Sequence, residues 1–591
     1  MAEPVAHPPA RVLLVCMPYQ SASLSSLAIA LLASTLRERG VETEEAYLHF
    51  DFARLVGASA YADLVEGGTQ QGLLGEMLFA EGFHGPSAEE GVEQRLGPCF
   101  GPPAQRSALL AEFRRICLAR VEAARPDLVG FSTSCNQLLP SLWLARQIKD
   151  VWPGVRIVLG GSACSLPMGE RISQSYDVVD HVVSGYGEAP LLELALGGPG
   201  AGQRLMVSER PVNMDALPLP DYSTYLQAAH AFTEDPHRVM LAFESSRGCW
   251  WGQKNHCTFC GLNRLEMAYN SKSSARVVKE VRTLWERYGK PLFATDSILS
   301  RAHLKEVMPE LAAYESKPVL FYEVKANMTG REVMALHKAN VAWVQPGIES
   351  LNSHLLALLK KGVKAIQNLA LLKWCRELGI SVSWNLLCGI PGETIEDYDA
   401  QLRLIERYPH LAPPQGMNPI RVDRFAPYFS AFEKYGWSAL EPLEEYRFLH
   451  PSLSREELRD IAYHFDALGG SSVFNAYRDD VQASLVRWKR AHARGDGLFW
   501  DEPRGLILIR DGAVSLIERE EELAAVINAS HELVALPALK ALSAKAPSLV
   551  EELLDMGVLY QEDNRVVNLA VRVGLRSMGM AWQGAPSQPG A

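Results

Sequence analysis

Three cysteines on one short polar stretch are the residues whose type and spacing point most directly to chemistry. Seven residues separate Cys249 from Cys257, and two separate Cys257 from Cys260. Three thiolates on one loop can hold three irons of a [4Fe-4S] cluster and leave the fourth iron open to a small chelating ligand. The stretch also carries Lys254 and Asn255, which disfavours three buried structural thiols. The spacing therefore favours an iron-sulfur centre.

A structural zinc site is the alternative interpretation of the same stretch. Zinc takes thiolate and imidazole ligands in a closed tetrahedron, and His256 is available as a fourth ligand. Because His256 is adjacent to Cys257, the two side chains would rarely reach one metal together. The residues of the loop favour the cluster over zinc and leave both open.

Motifs beyond the cysteines resemble those of a known superfamily. Phe259 precedes the last cysteine, and two glycine-bearing segments follow at 344–350 (Val-Gln-Pro-Gly-Ile-Glu-Ser) and 384–393 (Trp-Asn-Leu-Leu-Cys-Gly-Ile-Pro-Gly-Glu). Over residues 238–430 the chain resembles the radical S-adenosylmethionine (SAM) superfamily. The cysteine loop is longer than that superfamily's usual form. Its Gly-Cys-Trp-Trp-Gly at 248–252 resembles the cobalamin-dependent C-methyltransferases that mature ribosomally synthesised peptides.

Composition is typical of a large soluble enzyme. The chain has 591 residues, of which 48% are hydrophobic, enough for several cored domains. No apolar run approaches the roughly 18 residues needed to span a bilayer, so no membrane association is expected. Ten cysteines are few for a disulfide scaffold, which favours a cytoplasmic location. The net charge of −11 disfavours nonspecific nucleic-acid binding.

Residues 1–210 have the pattern of a Rossmann-like α/β domain. Apolar runs at 11–18, 127–134, 155–162 and 179–184 predict buried parallel strands, and small residues follow several of them. The resemblance implies that this domain binds cobalamin without a histidine ligand to cobalt, since the Asp-x-His-x-x-Gly motif is absent. The candidate contacts are Pro18, Tyr19, Ser132, Thr133, Gly160, Gly161, Ser162, Gly185 and Glu188. On pattern alone, these glycines could equally serve turns.

Residues 238–430 alternate between strand-like and helix-like segments. Strands are predicted at 293–298, 319–325, 343–349, 382–389 and 422–425, with helices at 274–288 and 364–378. The order predicts a (β/α) barrel, and the resemblance implies a partial (β/α)6 barrel of the TIM type. The residues expected to hold SAM are Phe259, Glu323, Lys325, Glu349, Ser350 and Asn385, although each polar one could simply end a solvated strand.

The ring-rich stretch 423–429 closes the predicted barrel. Aromatic side chains there could form the mouth of a substrate site or a packed domain seam. We assign Phe425 to a seam, and Tyr428 to the mouth as the candidate catalytic residue.

The remaining segments complete the predicted organisation. Residues 211–237 form a proline-rich linker, extended up to Tyr225, and 431–502 form a helical extension. Residues 503–572 form a small α+β module with a hairpin turning at Asp511 and Gly512, and residues 573–591 form a disordered tail. The module resembles winged-helix elements that recognise leader peptides. An oligomerisation or capping domain is the alternative.

The resemblance implies a function for the whole chain. It predicts a cobalamin-dependent radical SAM methyltransferase that C-methylates an unactivated carbon of a ribosomally synthesised precursor peptide. Two SAM molecules would serve each turnover, and a flavodoxin or ferredoxin would donate electrons. Two other hypotheses remain: a radical SAM maturase that makes a crosslink, epimer or oxidation without methyl transfer, and a zinc-stapled binding protein without turnover.

Overall fold

The computed structural model describes residues 9–66, 72–85, 90–232, 239–470, 472–543, 546 and 548–573. The chain forms two compact units. Of the described residues, one unit comprises those from 9 to 243 together with 440–466, and the other comprises 244–439 together with those from 467 to 573. Among the described residues, no helix combines the length and the apolar character that crossing a bilayer requires. The predicted tail lies outside the described residues from 574 onward.

The first unit is an α/β domain. Its strands are β1 (Val12–Cys16), β2 (Thr43–Tyr47), β3 (Leu128–Ser132), β4 (Arg156–Gly160), β5 (His181–Gly185), β6 (Leu205–Ser208) and β7 (Leu241–Phe243). Its helices are α1 (Leu27–Arg37), α2 (Leu48–Val56), α3 (Ala58–Glu66), α4 (Gly72–His84), α5 (Glu90–Phe100), α6 (Pro103–Ala124), α7 (Leu138–Val151), α8 (Met168–Ser175), α9 (Glu188–Leu196) and α10 (Ser223–Phe232). We expected the linker to be extended up to Tyr225, but helix α10 begins at Ser223. The prolines of the linker all precede Ser223, so they do not prevent a helix there.

Six of these strands form one parallel sheet in the order β2-β1-β3-β4-β5-β6. The order reverses between β1 and β3, and ligands of doubly wound sheets bind beyond the carboxyl ends of the strands at such a switch point. That edge begins after Cys16 and Ser132. The predicted Rossmann-like fold is confirmed.

Two strands of this sheet were not predicted. Strand β2 is the edge strand beside β1, and its sequence Thr-Glu-Glu-Ala-Tyr lacks the apolar run of a central strand. Strand β6 lies at the opposite edge, where Val207 is 50% exposed. Edge strands pair on one side only, so their sequences are less constrained to be apolar.

The second unit begins with the predicted strand and helix alternation. Its strands are β8 (Ser246–Arg247), β9 (Asn270–Ser271), β10 (Leu292–Ala294), β11 (Leu320–Val324), β12 (Val341–Pro346), β13 (Ser381–Val382), β14 (Leu386–Cys388), β15 (Met417–Pro419) and β16 (Val422–Asp423). Its helices are α11 (Arg264–Met267), α12 (Ser274–Tyr288), α13 (Arg301–Ala312), α14 (Gly330–Lys338), α15 (Ser353–Leu358), α16 (Ala365–Leu378), α17 (Ile395–Arg407) and α18 (Pro427–Ser430).

Parallel pairing joins these strands into an open barrel wall. Strands β10, β11, β12 and β13 lie side by side in this order, and β14 pairs with β15. A parallel bridge between Glu349 and Leu386 connects the two groups. Helix α12 shows why the helical pattern at 274–288 could be recognised in the sequence. Ser273 caps its first turn, and Gly289 ends it in the left-handed region. Val277, Val281 and Leu284 form its buried stripe.

The chain then returns briefly to the first unit and ends in the second. The returning part holds β17 (Ala439–Pro442), α19 (Glu445–Leu449), α20 (Arg455–Ile461) and β18 (His464–Leu468), and α21 (Phe474–Arg494) follows. The last elements are β19 (Gly497–Asp501), β20 (Gly505–Arg510), β21 (Ala513–Glu518), α22 (Glu521–Ala529), β22 (Val534–Ala535), α23 (Leu536–Leu542), α24 (Leu549–Asp555), β23 (Leu559–Glu562), β24 (Arg565–Asn568) and β25 (Val571–Val573).

The predicted hairpin of the last segment is present. Strands β20 and β21 pair antiparallel around Asp511 and Gly512, which both have positive φ, as a two-residue turn of the mirror-image type requires. The sheet order is β21-β20-β19-β25, so β21 is an edge. This segment packs on α16, where the Trp374 indole donates to the His531 carbonyl at 3.0 Å.

Candidate active site

The cysteine loop is joined to the barrel at a narrow connection, here called the neck, which consists of the paired strands β8 and β9 and Gly248. Strands β8 and β9 pair antiparallel, and Gly248 follows with φ of +82°. A Cβ on Gly248 would lie 2.3 Å from the carbonyl oxygen of Ala268. The Cys249 amide donates to the Met267 carbonyl at 3.4 Å. Only glycine fits at this neck, which fixes where the first cysteine enters the loop.

A buried carboxylate anchors the residues just before the neck. Asp296 follows β10, is fully buried, and accepts hydrogen bonds from the Ser245 amide at 2.7 Å and from the Ser246 hydroxyl at 2.9 Å. The Ser245 hydroxyl also donates to Asp296, and burial raises the pKa of Asp296. We did not single out Asp296 from the sequence, where it lies inside the predicted strand 293–298.

Two tryptophans hold the cysteine loop against the barrel. The Trp250 indole donates to the Leu299 carbonyl at 3.1 Å, and the Trp251 indole donates to the Lys360 carbonyl at 3.3 Å. Gly362 makes room for the second ring, because a Cβ there would lie 2.2 Å from it. The Trp-Trp pair of the motif is therefore a clamp between the loop and the barrel.

The three cysteines are half-buried and none forms a disulfide. The Gly252 amide lies 3.3 Å from the Cys249 sulfur, and the Cys257 sulfur lies 3.9 Å from the Lys360 carbonyl oxygen. Burial raises the pKa of Cys260 to about 12, so binding iron at this thiol displaces a proton.

His256 serves the loop itself. Its Nε2 donates to the Cys260 carbonyl at 2.9 Å and thereby closes the turn that carries the last two cysteines. Within the described ranges, no three or more His, Cys, Asp or Glu side chains converge on one metal ion. Three thiols on one loop are the donor set that a [4Fe-4S] cluster with one open iron takes.

Two lysines place positive charge beside the cysteines. The Lys361 ammonium pairs with Glu349 at 3.1 Å, and the Lys325 ammonium lies 3.7 Å from the centroid of a Trp251 ring. Lys325 also donates to the Lys361 carbonyl. Burial raises the pKa of Cys257, while the charges of Lys361 and Lys325 lower it. Lys361 was not among the residues predicted from the sequence.

The barrel residues predicted to hold SAM differ in availability. Glu323 ends β11, and burial together with the charges of Asp296 and Glu349 raises its pKa to about 8. Its carboxyl group is therefore protonated at neutral pH and can donate a hydrogen bond. Asn385 is half-buried, and its side chain makes no hydrogen bond to the described residues. Both are free to contact a ligand.

Ser350 and Phe259 are engaged by the protein. Ser350 is fully buried and donates its hydroxyl to Gln401 at 2.7 Å. The Phe259 ring packs on Leu355, Leu359 and Ile390. Their contacts position the backbone around the site, and a direct cofactor contact by either side chain stays a prediction.

Tyr428 does not line an opening as we expected. It is 1% exposed, its ring meets Tyr435 edge to face at 4.6 Å, and its amide donates to the Thr258 carbonyl at 2.9 Å. Thr258 lies between Cys257 and Cys260, so this backbone hydrogen bond of Tyr428 holds the cysteine loop in place. Packing against the rings of Tyr435 and Trp437 buries the side chain that sequence reasoning assigned to a mouth. Its catalytic role stays a prediction.

In the first unit, the predicted cobalamin residues line the carboxyl edge of the sheet. Pro18 and Tyr19 follow β1, Ser132 and Thr133 end and follow β3, Gly160, Gly161 and Ser162 end and follow β4, and Gly185 and Glu188 flank the turn from β5 into α9. The structure thus brings these residues to one edge. Several of them have internal roles there.

Thr133 and Gly161 build the backbone of this edge. The Thr133 hydroxyl donates to the Gly160 carbonyl at 2.9 Å, and a Cβ on Gly161 would lie 2.4 Å from the Thr133 carbonyl oxygen. Gly160 differs, because a Cβ there would meet no atom closer than 3.9 Å. Free space at this edge is therefore found at Gly160 and not at Gly161.

Several polar groups of this unit are buried without a hydrogen-bond partner in the part of the chain that the structure describes, and Tyr19 alone among those named here was a candidate from the sequence. Neither ring nitrogen of His49, nor the hydroxyl groups of Tyr19 and Tyr225, nor Oε1 of Glu76 has a hydrogen-bond partner among the described residues. Isolated polar residues in apolar segments give no sequence signal. The open space at Gly160 lies at the strand ends, where ligands of doubly wound sheets bind.

Comparison with known proteins agrees with this geometry. Residues 243–405 match the Radical SAM superfamily. The radical SAM methyltransferase TsrM of Kitasatospora setae, solved with cobalamin and a [4Fe-4S] cluster, is 17% identical, with a TM-score of 0.50 over 82% of this chain and 90% of its own. At this identity the likeness shows the fold alone.

Two curated relatives are methyl-transferring proteins by name. An uncharacterized methyltransferase of Pyrococcus horikoshii is 22% identical over 48% of this chain and 64% of the relative. The hopanoid C-3 methylase of Methylococcus capsulatus is 26% identical over 46% of this chain and 54% of the relative. The chain spans less than two thirds of the length of either relative.

Proposed function

Residues 243–405 form a radical SAM domain, and from this premise we propose that the chain is a cobalamin-dependent radical SAM methyltransferase. The observation that carries the proposal is the anchored loop of Cys249, Cys257 and Cys260 at the barrel strand ends, in a chain whose first unit is a doubly wound sheet. The first unit would hold cobalamin at its carboxyl edge.

The proposed reaction replaces a C–H bond of the substrate by a C–CH3 bond. When bound, the cluster supplies an electron that cleaves SAM to a 5′-deoxyadenosyl radical, and cobalamin carries the methyl group. One SAM yields 5′-deoxyadenosine and methionine, because its adenosyl group takes the substrate hydrogen. A second SAM gives its methyl group and leaves S-adenosylhomocysteine. Two electrons enter per turnover, and we propose a flavodoxin or ferredoxin as the donor.

The chain's own residues would hold SAM in a defined pose. Glu323 offers a protonated carboxyl group and Asn385 an uncommitted amide. Lys325 and Glu349 lie beside the cysteine loop. Together with Glu323 and Asn385 they would form the polar side of the SAM site. The tryptophan clamp fixes the loop against these residues, so the loop would hold the cluster in place before SAM binds.

We further propose that the substrate is a ribosomally synthesised precursor peptide and that the enzyme is cytoplasmic. The observation that supports a peptide substrate is the edge strand β21, whose six residues are all exposed, with Val514 at 66% and Leu516 at 51%. An extended leader segment can add to such an edge through backbone hydrogen bonds, with its apolar side chains over these two residues. Residues 503–572 would thus act as the leader-recognition module.

Product analysis tests the proposal. The anaerobically reconstituted protein, loaded with cobalamin, is incubated with reductant, SAM labelled in its methyl group and the precursor peptide encoded beside its gene. We expect labelled peptide, 5′-deoxyadenosine and S-adenosylhomocysteine in equal amounts. Modified peptide with 5′-deoxyadenosine and no transferred label would instead establish a crosslinking, epimerising or oxidising maturase. Stoichiometric zinc without iron would reject both.

A further inference from the structure

The Lys361 ammonium is held beside the cysteine loop by contacts with neighbouring side chains. Its Nζ lies 3.1 Å from Glu349 Oε1 and 5.4 Å from the centroid of the Phe259 ring, the residue next to Cys260. The side chains of Lys361 and Glu349 are only 13% and 18% exposed. Solvent therefore screens this pair weakly.

A glycine makes room for this charge. A Cβ on Gly347 would lie 2.5 Å from Lys361 Nζ, and the backbone of Gly347 does not need positive φ. A side chain at 347 would thus displace the ammonium from this position. The segment that carries Lys361 is itself bound to the cysteine loop, because the Thr258 amide donates to the Leu359 carbonyl at 3.2 Å.

Charge at this position would act on the proposed cluster. One-electron reduction adds a negative charge to an iron-sulfur cluster, and nearby charges in a poorly solvated site are among the factors that set its reduction potential. A buried cation favours the reduced state, and a buried carboxylate favours the oxidised state. Lys361 and Glu349 carry opposite charges at the same site.

We propose that Lys361 raises the reduction potential of the cluster and that Glu349 is its opposing charge, an inference that rests on the proposed cluster at Cys249, Cys257 and Cys260. Lys361 then acts as a fixed positive charge that favours reduction of the cluster. Its effect is on the cluster's affinity for an electron and does not require contact with the substrate.

The test is a redox titration of the reconstituted full-length protein, followed by the electron paramagnetic resonance signal of the reduced cluster. In Lys361→Met we expect the ratio of reduced to oxidised cluster at fixed potential to fall at least tenfold, which is about 59 mV for a one-electron couple. Glu349→Gln should shift the midpoint the opposite way, and the double variant should return close to the parent. Lys360→Met is the matched control, because Lys360 is exposed.

Each other outcome has a meaning. Equal midpoints in Lys361→Met and Lys360→Met would overturn the inference, as would shifts of the same sign in Lys361→Met and Glu349→Gln. Weaker SAM binding in Lys361→Met with an unchanged midpoint would assign Lys361 to ligand binding instead. If Lys361→Met does not assemble a cluster, the sign of the Glu349→Gln shift decides alone. Absence of a cluster in the parent protein would refute the proposed function itself.

Discussion

At the scale of single residues, the cysteines of the loop differ from the other cysteines of the chain in their surroundings. Replacing Cys249, Cys257 or Cys260 with Ala should abolish the iron-sulfur absorbance and the cleavage of SAM, because each would remove one iron ligand. Cys99→Ala and Cys375→Ala are the matched controls, since Cys99 is exposed and Cys375 is buried in α16. Anaerobic reconstitution followed by iron, sulfide and 5′-deoxyadenosine assays measures both effects. Full activity of Cys257→Ala would end the cluster assignment.

Glu323 should make stability depend on pH. Its pKa rises from an ordinary 4.5 to about 8, chiefly through burial, so the folded protein binds this proton more tightly than the unfolded chain. The contribution of this proton to the free energy of unfolding is complete below pH 4.5. It is lost as the pH rises toward 8, at up to about 1.4 kcal/mol per pH unit.

We therefore expect the Tm of the parent protein to fall relative to that of Glu323→Gln between pH 5 and about 8. Glutamine keeps the size of the side chain and cannot ionise, so it isolates the charge. Thermal unfolding monitored at several pH values gives the comparison. A constant difference in Tm across this range would show that Glu323 is ionised throughout.

At the scale of elements, strand β21 is an unprotected sheet edge. It contains neither proline nor lysine, the residues that commonly block pairing at an exposed edge. Val514→Glu and Leu516→Glu should weaken binding of the precursor peptide at least about tenfold, because they charge the face that an extended leader would cover. Leu542→Glu is the control, since Leu542 is equally exposed on α23. Isothermal titration with the precursor measures the affinities.

Deletion of residues 503–572 asks a separate question about the same segment. The segment covers α16, where the Arg572 amide donates to Glu377 at 3.1 Å and the Trp374 indole binds the His531 carbonyl. A truncated protein that keeps its cluster but loses precursor binding supports leader recognition. Unchanged precursor affinity in a folded truncation would reject that role, and loss of the cluster would identify the segment as a structural cap on the barrel.

At the scale of the whole molecule, the two units should lose their cofactors independently. Gly160→Val adds bulk where a Cβ meets no protein atom within 3.9 Å, so it should displace cobalamin and spare the cluster of the other unit. Gly202→Val is the control, because that glycine has open space elsewhere on the same unit. Gly161 is unsuitable for this test, since a side chain there would strike the Thr133 backbone.

Corrin absorbance and iron content, measured on the same preparations, give the two readouts. We expect Gly160→Val to lack the corrin spectrum while keeping the parent's iron content. A full corrin content in Gly160→Val would place cobalamin away from the end of β4. A parent protein that binds no corrinoid at all would favour the maturase without methyl transfer.

The sequence by itself determined the features that depend on local pattern. Continuous apolar runs identified the central strands β1, β3, β4 and β5, and the apolar stripe with its caps identified α12. The three clustered cysteines, with the segments 344–350 and 384–393, resembled the radical SAM superfamily, whose family model matches residues 243–405. These signals are legible because each lies within a few consecutive residues.

Only the tertiary structure decided which side chains surround the site. Lys361 reaches the cysteine loop because residues 258 and 359 are hydrogen-bonded, and Asp296 anchors Ser245 from a different strand. Tyr428 is buried by rings that follow it in the chain, and Gly161 is fixed by the backbone of Thr133. Most of these contacts join residues far apart in the sequence, so burial, partners and charge at these positions are set by packing between elements and leave no local sequence pattern.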